Sequence, residues 1–185
     1  AIFGSRVVIA AIYAAKAAAI FGSKSFSAAI CAATFGSRVV VAAIIAAGII
    51  PAGLEMMDKA TTRAVEEFVH AGYDLEAETI LLCESDGTPE EVAEEIERMT
   101  KVLEKAGASG IQISQDESER LKFWSGRKNA FPAAGRLAAD YYCMDGTIPR
   151  RNIGTLLRRI QGMEKKYGLA CLNVFHAGDG NMHPL

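Results

Sequence analysis

The chain predicts helices packed on a sheet, an α+β or α/β sandwich, on three observations. Apolar runs of strand length alternate with stretches of helical period. Gly, Pro and capping residues fall between them, with short connections. Half of the 185 residues are hydrophobic, enough for one respectable core and too many for a disordered chain.

The opening is the irregular part. Ala1–Ile12, Ala19–Ile30 and Ala33–Ile44 are near-copies of one unit, each with Phe-Gly-Ser before an Ala/Ile/Val run, and read as serine-capped apolar helices. Their unequal spacing excludes a solenoid, which needs longer units at fixed intervals. From Gly48 the pattern is regular. Asp58 caps a helix whose Ala64, Val65, Phe68 and Val69 share a face, ended by Gly72. Thr79–Cys83 is a buried strand. Thr88-Pro89-Glu90-Glu91 combines a capping box with proline in the first turn and opens a helix striped by Val92, Ile96, Met99 and Leu103. Ile111–Ile113 is a short strand. Asp116 and Glu119 cap a helix containing Leu121, Trp124 and Arg127, which Pro132 and Gly135 disrupt. Tyr141–Met144 reads as a strand, Ile153, Leu156, Leu157, Ile160 and Met163 as a helix stripe, and Leu169–Phe175 as the last strand.

All 22 acids lie beyond residue 54, with all but four of the 20 bases, so the regular part is acidic. Duplex nucleic acid needs a concentrated basic face and is excluded as a partner. Cys31, Cys83, Cys143 and Cys171 form no C-x-x-C pair and sit in apolar neighbourhoods, which suits reduced, buried thiols and a cytoplasmic setting. The uncharged run from Val39 to Leu54 contains Pro51 and is shorter than the ~18 residues of a spanning helix. Without an initiator Met, and with its last residues inside a motif, the chain is expected to be a fragment.

That motif is His176-Ala-Gly-Asp-Gly-Asn-Met-His183, two imidazoles flanking a glycine-rich turn at the end of an apolar strand. Neutral imidazole is a common ligand of zinc-like ions, and a catalytic ion takes a third protein ligand besides. The readings are a metal pair, or one buried and one solvated histidine. Asp179 suits a turn role, and His70 a helix C-terminus with no catalytic part. Arg127 could present its fork to a substrate carboxylate, or be a solvated helix arginine. Gly178-x-Gly180 lacks the rest of a dinucleotide loop, and no P-loop occurs.

Four segments carry a resemblance: Gly48-Ile-Ile-Pro-Ala-Gly-Leu-Glu-Met-Met-Asp58, Phe123-Trp-Ser-Gly-Arg-Lys-Asn-Ala-Phe-Pro132, Asp140-Tyr-Tyr-Cys-Met-Asp-Gly-Thr-Ile-Pro-Arg150 and Asn173-Val-Phe-His-Ala-Gly-Asp-Gly-Asn-Met-His-Pro184. Together they resemble the FAD-linked oxidases, and within them the glycolate oxidase branch, with D-lactate dehydrogenases as the alternative. The likeness spans residues 34–185, and residues 1–33 depart from it.

It implies an α+β substrate (cap) domain with a largely antiparallel sheet covered by helices, truncated at its C-terminus and preceded by an apolar helical segment. It further implies a 2-hydroxy acid oxidised with hydride passing to FAD, the flavin held mainly by a domain absent from these residues. His176 and His183 would be ligands of a divalent metal such as Zn, and Arg127 the group that holds the substrate carboxylate. A third ligand and base would come from a downstream Glu-His pair, so the fragment alone would be inactive.

Cys143 replaces a lysine, and Leu185 an asparagine, of some relatives, which favours a small acid over D-2-hydroxyglutarate. Implied partners are other glycolate oxidase subunits, including an iron-sulfur subunit, with peripheral membrane association through them. A non-catalytic cap or interaction module and a metal-dependent hydrolase are the competing classes.

Overall fold

The computed structural model describes residues 4–12 and 40–185. The strands are β1 (Gly4–Ile12), β2 (Gly53–Asp58), β3 (Thr79–Gly87), β4 (Ser109–Ile113), β5 (Gly146–Thr147), β6 (Asn173–His176) and β7 (Asn181–Pro184). The helices are α1 (40–46), α2 (Lys59–Val69), α3 (Pro89–Lys105), α4 (Glu117–Lys128), α5 (Ala130–Leu137) and α6 (Ile153–Tyr167). Among the described residues one seven-stranded sheet in the order β4-β1-β3-β2-β6-β7-β5 holds all the strands, and every pairing is antiparallel.

Both faces of this sheet are covered, which is why its central strands are apolar on consecutive residues. Ile80, Leu81, Leu82 and Cys83 of β3 are all fully buried. On one face Leu54, Met56, Leu81, Cys83, Phe175 and Met182 pack against α1, α3 and α6. On the other, Met57, Ile80, Leu82 and Val174 pack against α2, α4 and α5. The α3 stripe of Val92, Ile96, Met99 and Leu103 is buried as the sequence predicts, and the Thr88–Glu91 capping box is present in full. Asp58 and Asp116 accept from the backbone of Thr61 and Glu119, capping α2 and α4. The α+β class with an antiparallel sheet is therefore what forms.

The repeated unit does not keep one conformation. Its first copy is β1, inserted between β3 and β4 with Val8 opposite both Cys83 and Ile113, rather than the expected helix. An Ala/Ile/Val run tolerates either state, and here the backbone donors and acceptors of two flanking strands decide it. Residues 4–12 thus join the same sheet. In the third copy residues 40–44 open a helix that runs to residue 46, with Val40 and Ile44 fully buried. The second copy and Cys31 lie outside the described residues.

Other expectations need correction. Tyr141–Met144 is not a strand; the ladder there is limited to Gly146–Thr147, plus one bond from Met144 N–H to the Pro184 carbonyl. Cys143 is exposed, whereas Cys83 is buried and Cys171 half-buried, so the thiols do not share one environment. Pro132 and Gly135 lie inside α5, because the chain breaks at Asn129 and the proline falls in the new helix's first turn, where no intrahelical donor is lost. The strand expected over 169–175 is β6, which begins at Asn173 and leaves Leu169 exposed, and it is followed by a further strand, β7. Met163 is not core but lines an apolar cleft of about 590 Å³ with Leu137, Tyr141, Met144, Tyr167 and Leu185. Phe68 also faces outward, beneath the Arg136 guanidinium at 5.5 Å. Among the described residues no helix is long and apolar enough to cross a membrane.

Two outcomes follow from this packing. Met99→Ala should cost about 2–5 kcal/mol and Thr88→Ala about 1 kcal/mol in denaturant unfolding, since one empties a filled site and the other removes a cap. In thiol labelling followed by peptide mapping at pH 8, exposed Cys143 should react well before Cys83, whose thiol burial pushes up strongly. Cys171, pushed up to about 11 by burial and by neighbouring Glu164 and Asp58, should label faster as pH approaches that value.

Candidate functional site

The register of three strands builds the site. In the β6–β7 hairpin His176 faces Asn181 and Val174 faces His183, which makes the two histidines diagonal neighbours on one face. Their ring centroids are 5.2 Å apart, edge to face. The turn between them demands glycine at 180: φ is +85°, and a Cβ there would lie 2.2 Å from the Ile148 carbonyl. Asp179 takes the turn role, accepting from Asn181 N–H at 2.8 Å. The next strand inward is β2, whose Glu55 lies directly opposite His176.

Glu55 is a carboxylate in an otherwise apolar strand, and it is buried. Its Oε1 is 2.5 Å from His176 Nδ1, and its Oε2 accepts from Arg127 Nε at 2.8 Å. Arg127 comes from α4, the helix lying across this face. Three α4 residues, at positions 120, 124 and 127, follow one helical stripe over the sheet. Arg120 reaches Glu84, Trp124 lies over Gly53, where a Cβ would be 3.2 Å from its ring, and Arg127 reaches Glu55. The stripe is polar at both ends, which is why no apolar periodicity announces that α4 packs on a sheet.

Two further contacts fix these elements. The Tyr73 hydroxyl donates to the Phe123 carbonyl, and the ring occupies the space a side chain at Gly126 would need: a Cβ there would lie 2.2 Å from it. Asp58 Oδ2 accepts from both the backbone and the side-chain amide of Asn173, while Oδ1 accepts from Thr61 N–H and Oγ1. One carboxylate thereby ties β2, the start of α2 and the start of β6 together. Burial pushes the Asp58 pKa up, and these same bonds oppose the shift.

The three residues the sequence singled out therefore converge, as does Glu55, which sequence reasoning missed. The available signal was an acid within Leu54-Glu55-Met56-Met57, a run whose composition does not favour a strand. Arg127 is buried and ion-paired, not a solvated helix arginine, and neither of its Nη nitrogens makes a hydrogen bond among the described residues. His183 is mostly buried, with Phe131 at 6.2 Å between ring centroids and Asp145 Oδ1 3.7 Å from its Nδ1, whereas the His176 side chain is 41% exposed; the two rings differ in exposure and are in contact. Asn181 Oδ1, on the same face, is buried without a hydrogen-bond partner among the described residues. His70 is the left-handed C-cap of α2, away from this cluster. Among the described residues no group of three His, Cys, Asp or Glu side chains could hold a metal ion, so the histidine pair is at most part of a metal site.

Residues 15–185 match the family described as FAD linked oxidases, C-terminal domain. The chain belongs to this family. Glycolate oxidase subunit GlcD of Escherichia coli (strain K12) is 59% identical over 138 residues, covering 75% of this chain and 28% of that protein. The protein of the same name from Bacillus subtilis (strain 168) is 35% identical over 139 residues, covering 75% of this chain and 30% of that protein. D-lactate dehydrogenase [cytochrome], mitochondrial, of Arabidopsis thaliana is 25% identical over 138 residues, covering 74% and 24%. The chain thus spans under a third of the length of these relatives. A solved alkyldihydroxyacetonephosphate synthase superposes with a TM-score of 0.61 at 13% identity, covering 99% of this chain and 35% of that one, a likeness of fold.

The Tyr73–Gly126 contact yields a direct check. Gly126→Ala should destabilise the domain by about 1–3 kcal/mol through overpacking, read as a lowered unfolding midpoint. Tyr73→Phe, which keeps the ring and removes only the hydroxyl, should cost less.

Proposed function

We propose that this chain is the substrate domain of a flavin-dependent 2-hydroxy-acid dehydrogenase of the glycolate oxidase type. The observation that carries the reading is the convergence of Arg127, His176 and His183 on one sheet face. Identity of 59% with a glycolate oxidase subunit supports it. Residues 34–185 would form the domain, now joined by β1.

Arg127 would bind the substrate carboxylate. Its Nε is held by Glu55, and its two Nη donors are unengaged among the described residues, a geometry suited to a fork–fork contact with a carboxylate. His176 and His183 are chemically suited to hold a divalent ion such as Zn, with a further donor from outside the described residues. An ion bound there would acidify the substrate hydroxyl, and FAD would supply the hydride acceptor. Phe131 and Trp124 flank the cluster and would limit water around it. Fixing the carboxylate also fixes which way the α-carbon hydrogen points, the positional part of catalysis.

A D-lactate dehydrogenase is the second reading, favoured by the Arabidopsis relative. Partner subunits, one carrying an iron-sulfur centre, are part of the first, in the cytoplasm and at the membrane through those partners. The names of the GlcD relatives, each a subunit, support it.

The test is a chain of the relatives' full length carrying this segment, mixed anaerobically with glycolate or D-lactate. Bleaching of the flavin by glycolate in preference to D-lactate is the expected result. Arg127→Leu should lower kcat/KM about 10- to 100-fold, the cost of losing a charged hydrogen-bonding pair. Flavin uptake without reduction by either acid would overturn the proposal.

A further inference from the structure

Glu55 is the residue at this site that motif logic did not find and that the functional reading uses only as the anchor of Arg127, and its bonds restrict what it does. A carboxylate oxygen accepts and does not donate, so the 2.5 Å contact requires the proton on His176 Nδ1. In a neutral ring the lone pair is then on Nε2. The second oxygen engages Arg127 through Nε and through neither Nη. A guanidinium held this way is fixed in its plane with its terminal donors left over.

Both halves are anchored by rigid elements. Glu55 and His176 are a cross-strand pair in the interior of the sheet, and Arg127 follows Gly126, whose missing side chain admits Tyr73. Charge adds a constraint. Glu55 and Arg127 neutralise one another, so a substrate anion entering here meets aligned donors but little net positive charge. A cation at the histidine pair would restore the balance, which makes occupancy of either half favour the other.

We propose that Glu55 is a positioning residue that couples the two halves of the site. One oxygen sets the His176 tautomer, leaving Nε2 as the nitrogen that would bind a cation; the other holds Arg127 by Nε, leaving its Nη donors for a substrate carboxylate. The substrate half rests on the function proposed above, and the tautomer does not.

The experiment uses the full-length flavoprotein, with zinc alone and oxalate alone as calorimetric probes. Glu55→Gln, whose side chain accepts at one atom only, should weaken zinc binding about 10- to 100-fold and oxalate binding at least about 10-fold. Glu84→Gln breaks the neighbouring Arg120 pair on the same helix and strand face, and should leave both affinities within about twofold despite a similar loss of stability. Unchanged affinities in Glu55→Gln, or loss of one ligand alone, would overturn the coupling.

If Glu55→Gln does not fold, nitrogen NMR of ¹⁵N-histidine-labelled wild-type protein decides the point. His176 should carry its proton on Nδ1, and an Nε2-protonated neutral ring would sink the proposal. Wild-type protein that binds neither zinc nor oxalate would refute the functional reading instead, and the tautomer would still report on Glu55.

Discussion

The buried carboxylate of Glu55 is the constraint around which this face of the molecule is organised. An ionised group in a sheet interior is costly unless both oxygens are engaged, and Glu55 meets that condition with one partner from an adjacent strand and one from the overlying helix. The same two bonds set the position of α4 over β2 and the orientation of the ring at the end of β6. Truncating Glu55 would leave the buried Arg127 guanidinium without its ion-pair partner, so the site and the local packing are stabilised by the same contacts.

The arrangement also explains why an antiparallel sheet here has polar residues within a covered layer. Away from the site, β3 is apolar on both faces and α3 presents an uninterrupted stripe. Along α4 the sheet-facing positions are Arg, Trp and Arg, each matched to Glu84, Gly53 or Glu55 beneath. The matching is one to one: an acid under each arginine and a glycine under the indole. Asp58 adds a second, half-buried carboxylate that holds β2, α2 and β6 in register, keeping the Glu55–His176 pair aligned.

Local rules were sufficient where the physics is local. Capping at Thr88 and Asp116, the α3 stripe and the turn role of Asp179 depend on neighbours within four residues, and all are present. They fell short where contact partners are distant. β2 and β7 carry no strand signature, because Leu-Glu-Met-Met and Asn-Met-His-Pro are poor β-formers held in place by flanking strands. Tyr141–Met144 has strand composition but lies outside the regular ladder, and Met163 and Leu169 have apolar side chains that no described element covers. The near-identical copies at residues 1–12 and 33–44 make the same point in one molecule, one a strand and the other entering a helix.

The amino-acid order alone determined that helices pack on a sheet, where α2, α3 and α4 start, and the identity of the chemical groups Arg127, His176 and His183, because these follow from periodicity, capping and side-chain chemistry; the choice of α+β over α/β came with the family resemblance. Tertiary structure alone decided that a hairpin register places the two imidazoles 5.2 Å apart, and that a helix distant in sequence delivers Arg127 to the same carboxylate as His176. Strand register is set by pairing between segments up to 121 positions apart, and no local pattern encodes which residue of one will face which residue of the other.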